Sequence, residues 1–266
     1  MEKLLIAGRV MYALGVTGLG LQQFFYPGIR PVFIPGYFER IANAEPLVYL
    51  FSIGLILASG CILFKFKPKS ASLILAVVFL LFFLFLHVPS NLIQNLISPG
   101  AWTNGLKILA FSGGALIIAG SFGEDEAEKP SALNDSLGKL IPLGRFFFGI
   151  MLIVFGIDHF LYAQFVATLV PEWIGGQMFW TYFAGIALMG SGVSLITKIK
   201  ISLVSLLMGL MIFIWLFVLH IPRAVAMPDL DNGNELTSVF QALAFSGVGF
   251  VLACFYTTSN QRQLEY

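Results

Sequence analysis

The chain has three histidines, and two of them stand in the same phrase. Leu84-Phe85-Leu86-His87-Val88-Pro89 in the first half returns as Phe217-Val218-Leu219-His220-Ile221-Pro222 in the second, each inside a long apolar run. An imidazole at such a place is costly and marks a specific partner or a function. Other ionisable residues gather near the second copy: Asp158 and His159 before it, Arg223 just after it, then Asp229, Asp231 and Glu235. A carboxylate beside an imidazole fixes its tautomer and suits proton transfer to a bound small molecule. An Asp at mid-bilayer costs about 2.5–3.5 kcal/mol, so Asp158, within a turn of the interface, calls for a partner. Arg223 and the histidines are the cations to hand. The same set serves equally as structural pairing between helices, and both readings stand.

The first half carries Gln22, Gln23, His87 and Ser90 at the matching positions, with no carboxylate leading into its last helix. We therefore read Asp158, His159, His220, Arg223, Asp231 and Glu235 as the candidate ligand-binding set, and Gln22, Gln23 and His87 as its neutral counterpart. Identical histidines at matching positions raise the ligation of one haem or metal by His87 and His220. That set falls short, because it lacks a C-x-x-C-H motif and zinc takes three or four ligands. No metal site is assigned. The plain alternative is a ring donating to a carbonyl freed by the proline two residues on, with that proline ending the helix. No phosphate loop, nucleophile elbow or other cofactor motif occurs.

The elements that must position these residues follow from composition. Of 266 residues 58% are hydrophobic and 11% charged, and the mean hydropathy is +0.88, which places the chain among integral membrane proteins. The net charge of +1 comes without a basic cluster, which sets nucleic acid aside as a partner. About 20 apolar residues cross a bilayer, which gives eight helices at roughly 4–26, 46–64, 70–89, 103–122, 141–162, 177–197, 201–221 and 236–256. The fold class is all-α and polytopic. Met1-Glu2-Lys3 and the run after it do not read as a signal peptide, because Arg9 interrupts the run and the same segment recurs at Gly144. Cys61 and Cys254 read as small buried hydrophobes.

The eight helices form two repeats, residues 1–122 and 141–260, joined by a polar linker at 123–140. Gly8-Arg9 matches Gly144-Arg145, Ser59-Gly60 matches Ser191-Gly192, and Leu109-Ala110-Phe111-Ser112-Gly113 recurs letter for letter as Leu243-Ala244-Phe245-Ser246-Gly247. An even helix count gives both repeats the same orientation. Lys and Arg concentrate on the side of the termini, Lys65-Phe66-Lys67-Pro68-Lys69, the linker and Lys198-Ile199-Lys200, against Arg30, Arg40 and Arg223 opposite. The positive-inside rule then makes both termini cytoplasmic and turns the His-x-Pro ends outward. After the first helix of each repeat comes an apolar, aromatic stretch, Tyr26 to Pro35 and Ala163 to Ile174, too short to span. It anchors at the interface or covers the polar spot as a lid. Ala184, Gly185, Leu188, Ser191 and Gly192, like Ser246, Gly247 and Gly249, are close-packing faces. Glu235, Ser238, Ala242 and Ser246 form a polar stripe, read either as helix–helix hydrogen bonding or as one wall of a ligand cleft.

Gly156 to Phe160, Pro171-Glu172-Trp173-Ile174, Phe179 to Gly185, Leu219-His220-Ile221-Pro222-Arg223 and Asn234-Glu235-Leu236-Thr237-Ser238 together resemble the DoxX-like family of four-helix membrane proteins. The resemblance covers about 141–256. The first half shares Arg9, Pro35, His87-Val88-Pro89 and the Leu109 to Gly113 motif, but lacks the Asp-His and Asn-Glu pairs, as a diverged copy would. The resemblance implies a bacterial inner-membrane protein, a membrane subunit of a quinone-linked oxidoreductase system, with quinone as the cofactor and a soluble or membrane redox partner supplying electrons. The alternative is a non-enzymatic membrane module that binds a lipid or an exported protein.

Overall fold

The computed structural model describes residues 1–26, 30–35, 45–94, 98–123 and 131–264. Arg40 and the central part of the linker, residues 124–130, lie outside the described residues. Eight helices among those described are long and apolar enough to cross a membrane. They are α1 (Glu2–Phe25), α2 (Glu45–Leu63), α3 (Pro68–Ile93), α4 (Thr103–Ser121), α5 (Gly144–Leu161), α6 (Gln177–Thr197), α7 (Ile201–Ala226) and α8 (Asn234–Leu264). A lipid core offers backbone groups no water, so sequences this apolar close their hydrogen bonds within helices. The protein is an all-α polytopic membrane protein.

The expectation that each His-x-Pro ends its helix is not met. α3 passes through a π-helical turn at Phe83–His87 and α7 through one at Leu216–His220; α-helix then resumes over Val88–Gln94 and Ile221–Ala226. Proline lacks an N–H and its ring crowds the carbonyl four residues back. Widening the turn by one residue accommodates both faults, with the Val88 N–H reaching Phe83 O and the Ile221 N–H reaching Leu216 O. The two copies thus share one distortion, and each histidine is the last residue of it.

The helices form a closed ring in chain order. Each packs on its sequence neighbours, α8 returns to α1, and α4 meets α8 across the middle. Exchanging the halves maps every packed pair onto another, α1–α8 onto α5–α4 included. α4 and α8 are the most enclosed, with 78% and 72% of their apolar spans buried, whereas α2 and α7 are 28% buried and face lipid. One continuous core runs through both halves, from Tyr12 and Phe79 to Phe148 and Val251. On the linker side, the Ser131 hydroxyl caps a short helix at Ala132–Gly138, and Ser70 donates to Asn134 Oδ1 at 2.8 Å, seating this segment on α3. Arg9 and Arg145 reach the last carbonyls of other helices: Arg9 donates to Ser121 O, and Arg145 to Leu195 O and Ile196 O. A cation there offsets the negative helix end.

The ring closes on glycines. A β-carbon at Gly8 would lie 2.6 Å from Gly247 O, and one at Gly247 would lie 2.5 Å from Gly8 O. Gly113 and Gly144 make the same crossing between α4 and α5, at 2.6 and 2.7 Å. These are one contact under exchange of the halves, and Gly8 and Gly144 are the glycines of the Gly-Arg pairs that mark the duplication. Gly149 with Gly192, and Gly156 with Gly185, join α5 to α6 in the same way. Gly247→Leu should therefore separate α1 from α8, lowering stability by about 1–3 kcal/mol as overpacking does and reducing the folded fraction in thermal unfolding in detergent. Gly54→Leu, where an added β-carbon meets nothing within 4 Å, should leave unfolding unchanged.

Candidate functional site

All the candidate residues lie at one end of the bundle, the end where α3 and α7 carry their histidines. In the first half, His87 is 1% exposed and its Nε2 lies 3.1 Å from Val32 O and 3.2 Å from Phe33 O. It holds the stretch after α1 rather than a carbonyl freed by Pro89. Arg30, in the same stretch, is 4% exposed and donates to Tyr26 O and Asn232 O. Burial lowers the pKa of its guanidinium, while the neighbouring Tyr26 acts the other way. Gln22 donates from Nε2 to Gly233 O at 2.6 Å and accepts from Thr237 Oγ1 at 2.9 Å. Asp231, Asn232 and Gly233 all have positive φ, at 46, 57 and 81°. This left-handed run, which Asp, Asn and Gly tolerate best, presents the Asn232 and Gly233 carbonyls to the first half. Gln22 is thus a tie across the halves. Gln23 is 1% exposed, and neither amide atom has a partner among the described residues.

In the second half, Arg223 of α7 grips Glu235 of α8 with two hydrogen bonds, Nη2 to Oε1 at 2.7 Å and Nε to Oε2 at 3.1 Å. His220 lies next to them, where the charges of Lys107, Glu235 and Arg223 all act on its ring. Lys107 belongs to α4, in the other half, and was absent from the candidate set. The signal for it was a lone lysine one turn inside the fourth apolar helix, opposite Gln241 in the duplication.

The remaining candidates do not join this cluster. Asp158 Oδ1 is buried without a hydrogen bond, and Asp158 pairs with neither Arg223 nor a histidine among the described residues. His159 turns back on its own helix, Nδ1 2.7 Å from Phe155 O, with its β-carbon against Gly185 of α6. Asp231 is exposed in the loop before α8. On the polar stripe of α8, Ser238 bonds to Asn234 O and Ser246 to Leu243 O within their own helix, and only Glu235 bonds to a neighbouring helix.

A second feature has no counterpart in the sequence reading. α6 and α7 splay apart around an apolar groove of about 740 Å³, with Trp173 and Ile174 at its mouth. Its lining runs along α7 from Val204 to Val218, about 21 Å at 1.5 Å per residue. The end near the histidines is aromatic, with Trp173, Trp180, Phe183 and Trp215; the far end is aliphatic, with Val204, Leu207 and Met208. Trp180 and Trp215 meet edge to face at 6.1 Å. Among the described residues no charged side chain lines the groove, and the cluster is tied instead to α8, the neighbour of α7 on the side away from α6.

The first half fills the same place. Phe33 packs edge-on against Phe51 of α2 at 5.0 Å, and Phe51 stacks on Phe82 of α3 at 4.7 Å. Phe51 and Phe82 match Phe183 and Trp215, which line the open groove. The stretch after α1 is a plug, held in by His87. Its equivalent after α5 folds instead as a helix, Ala163–Leu169, and a 3-10 turn, Glu172–Ile174, leaving Trp173 76% exposed.

No protein-family model matches the chain, and no curated protein or solved structure matches it. His87→Ala should loosen the plug, seen as faster hydrogen exchange at Phe33 and Ile34, whose amides bond to Arg30 O, with exchange in α6 unaltered. For Arg223 and Glu235, a double-mutant cycle to Ala on thermal unfolding should return a coupling of about 1.5–3 kcal/mol, the range for hydrogen bonds to charged groups; a coupling near zero would make the pair incidental.

Proposed function

We propose that the chain is a membrane module that takes a long-tailed, ring-headed molecule out of the bilayer, a quinone in the first instance. The observation that carries this reading is the open groove between α6 and α7, at the place the first half plugs with Phe33. An isoprenoid tail suits the aliphatic end and a planar ring suits the aromatic end, where the indoles of Trp173, Trp180 and Trp215 offer N–H donors that bond to no described residue. The redox half of the reading comes from the resemblance of residues 141–256 to DoxX-like proteins: a subunit of a quinone-linked oxidoreductase in a bacterial inner membrane, with cytoplasmic termini, fed with electrons by a partner.

A second reading, a module that holds a lipid without chemistry, is favoured by the absence of any charged group in the groove lining, since acyl chains fit the same surface. Gly190 separates the two, because it lines the groove and a β-carbon there meets nothing within 4 Å. Gly190→Leu should fill the groove without disturbing the fold. Binding of a short-tailed ubiquinone or a menaquinone, followed by quenching of tryptophan fluorescence in detergent, should weaken at least about tenfold, or 1.4 kcal/mol. Quinone affinity unchanged by Gly190→Leu would refute the assignment; phospholipid retained by the wild type and lost from the variant, with no quinone bound to either, would establish the second reading.

A further inference from the structure

The groove leaves the charged junction of α4, α7 and α8 without a role. Arg223 pairs there with the one carboxylate, Glu235, and Lys107 shares a face of α4 with Phe111 and Gly114, which pack on Phe245 and Val248 of α8, so a second cation projects toward the same end of α8. Glu235 takes hydrogen bonds from Nε and Nη2 of Arg223, and Nη1 has no hydrogen bond among the described residues. Lys107 feels the charge of Glu235 but makes no hydrogen bond or ion pair to a described residue, and the His220 ring makes none either. Among the described residues the junction therefore carries two cationic side chains against one carboxylate, in the end turns of membrane-spanning helices, where an unpaired ammonium is costly. Such a group needs a counter-charge. Asp158 does not supply it, and Asp231 lies exposed in the loop beyond.

We propose that this junction is an anion site, separate from the groove, which takes one small oxyanion: an inorganic ion of the sulfate or phosphate type, a carboxylate, or the phosphate of a lipid headgroup. Lys107 Nζ provides a point charge, the free edge of Arg223 a planar donor, and the His220 ring a third contact. Glu235 is a positioning residue that aims the guanidinium. The duplication argues that the site is single. At the matching places the other half has Gln241 for Lys107, Ser90 for Arg223 and Ala101 for Glu235, and its histidine is bonded to Val32 and Phe33. Charges from both halves build the site, so it exists only because α4 and α8 meet at the centre of the ring.

The purified full chain in neutral detergent tests this by thermal shift and calorimetry with sulfate, phosphate or acetate against chloride at equal ionic strength. Wild type should show saturable stabilisation and one anion per chain. Lys107→Gln installs the side chain that Gln241 has in the other half and removes a charge without removing bulk; it should weaken the anion at least tenfold while quinone quenching stays as in wild type. Gly190→Leu should do the reverse, so the two sites stand or fall separately. Native mass spectrometry from nanodiscs with and without phosphatidylglycerol identifies the source: an anionic lipid retained by wild type and lost from Lys107→Gln assigns the site to a headgroup. Equal shifts in wild type and Lys107→Gln, or no stabilisation by any of these anions and no retained lipid, would overturn the proposal.

Discussion

Everything at the histidine end depends on how closely two backbones approach at the opposite end. Gly8 against Gly247 and Gly113 against Gly144 bring α1 onto α8 and α4 onto α5 at distances that leave no room for a β-carbon. Inside a bilayer there is no hydrophobic force to hold helices together, because lipid tails are as apolar as the helices. Association rests on packing, and packing is strongest where side chains do not intervene. The crossings sit between halves, so the two repeats close into one ring around α4 and α8 instead of folding as two bundles side by side. That closure carries Lys107 of the first half to His220 and Glu235 of the second.

The duplication then works as an internal control. Both halves contain the same π-helical turn, the same proline and the same terminal histidine, so the local backbone does not explain why the halves differ. The stretch after the first helix of each repeat does. In the first half it enters the cleft, Phe33 lies against Phe51, and His87 binds the carbonyls this leaves exposed. In the second half it folds as a short helix, the cleft between α6 and α7 stays open, and the ring of His220 is left to its charged neighbours. Occupied cleft and bonded histidine go together, as do open cleft and unbonded histidine.

The length of the apolar runs was enough to read eight spans, because about 20 apolar residues cross a bilayer and every backbone group there must be bonded within its own segment. Arg223 and Glu235 were legible as members of one charged set at the same end, but the expected partner of Arg223 was Asp158, not Glu235. Lys107 was not legible, because comparing the repeats position by position favours residues of the charged copy, and Lys107 belongs to the other. Asp158 misled for a related reason: its neighbour in sequence, His159, suggested a pair, yet successive helical residues point about 100° apart, and His159 is committed to Phe155 O. The groove was illegible because it is a space between helices, and no residue type announces a space.

The neutral residues of the first half acquire a meaning that a diverged copy would not give them. Gln22 and Arg30 bind the carbonyls of Gly233 and Asn232, in the loop whose left-handed residues set the direction in which α8 begins. Glu235 is the second residue of α8 and holds Arg223 from there. The chain of contacts thus runs from an amide and a guanidinium of the first half, through a strained loop, to the carboxylate that aims a guanidinium of the second. A carboxylate at position 22 would set its charge against the two carbonyls that Gln22 and Arg30 now share between them, and could not donate to Gly233. A side chain at position 22 that can donate to Gly233 O is therefore part of what orients the charged cluster.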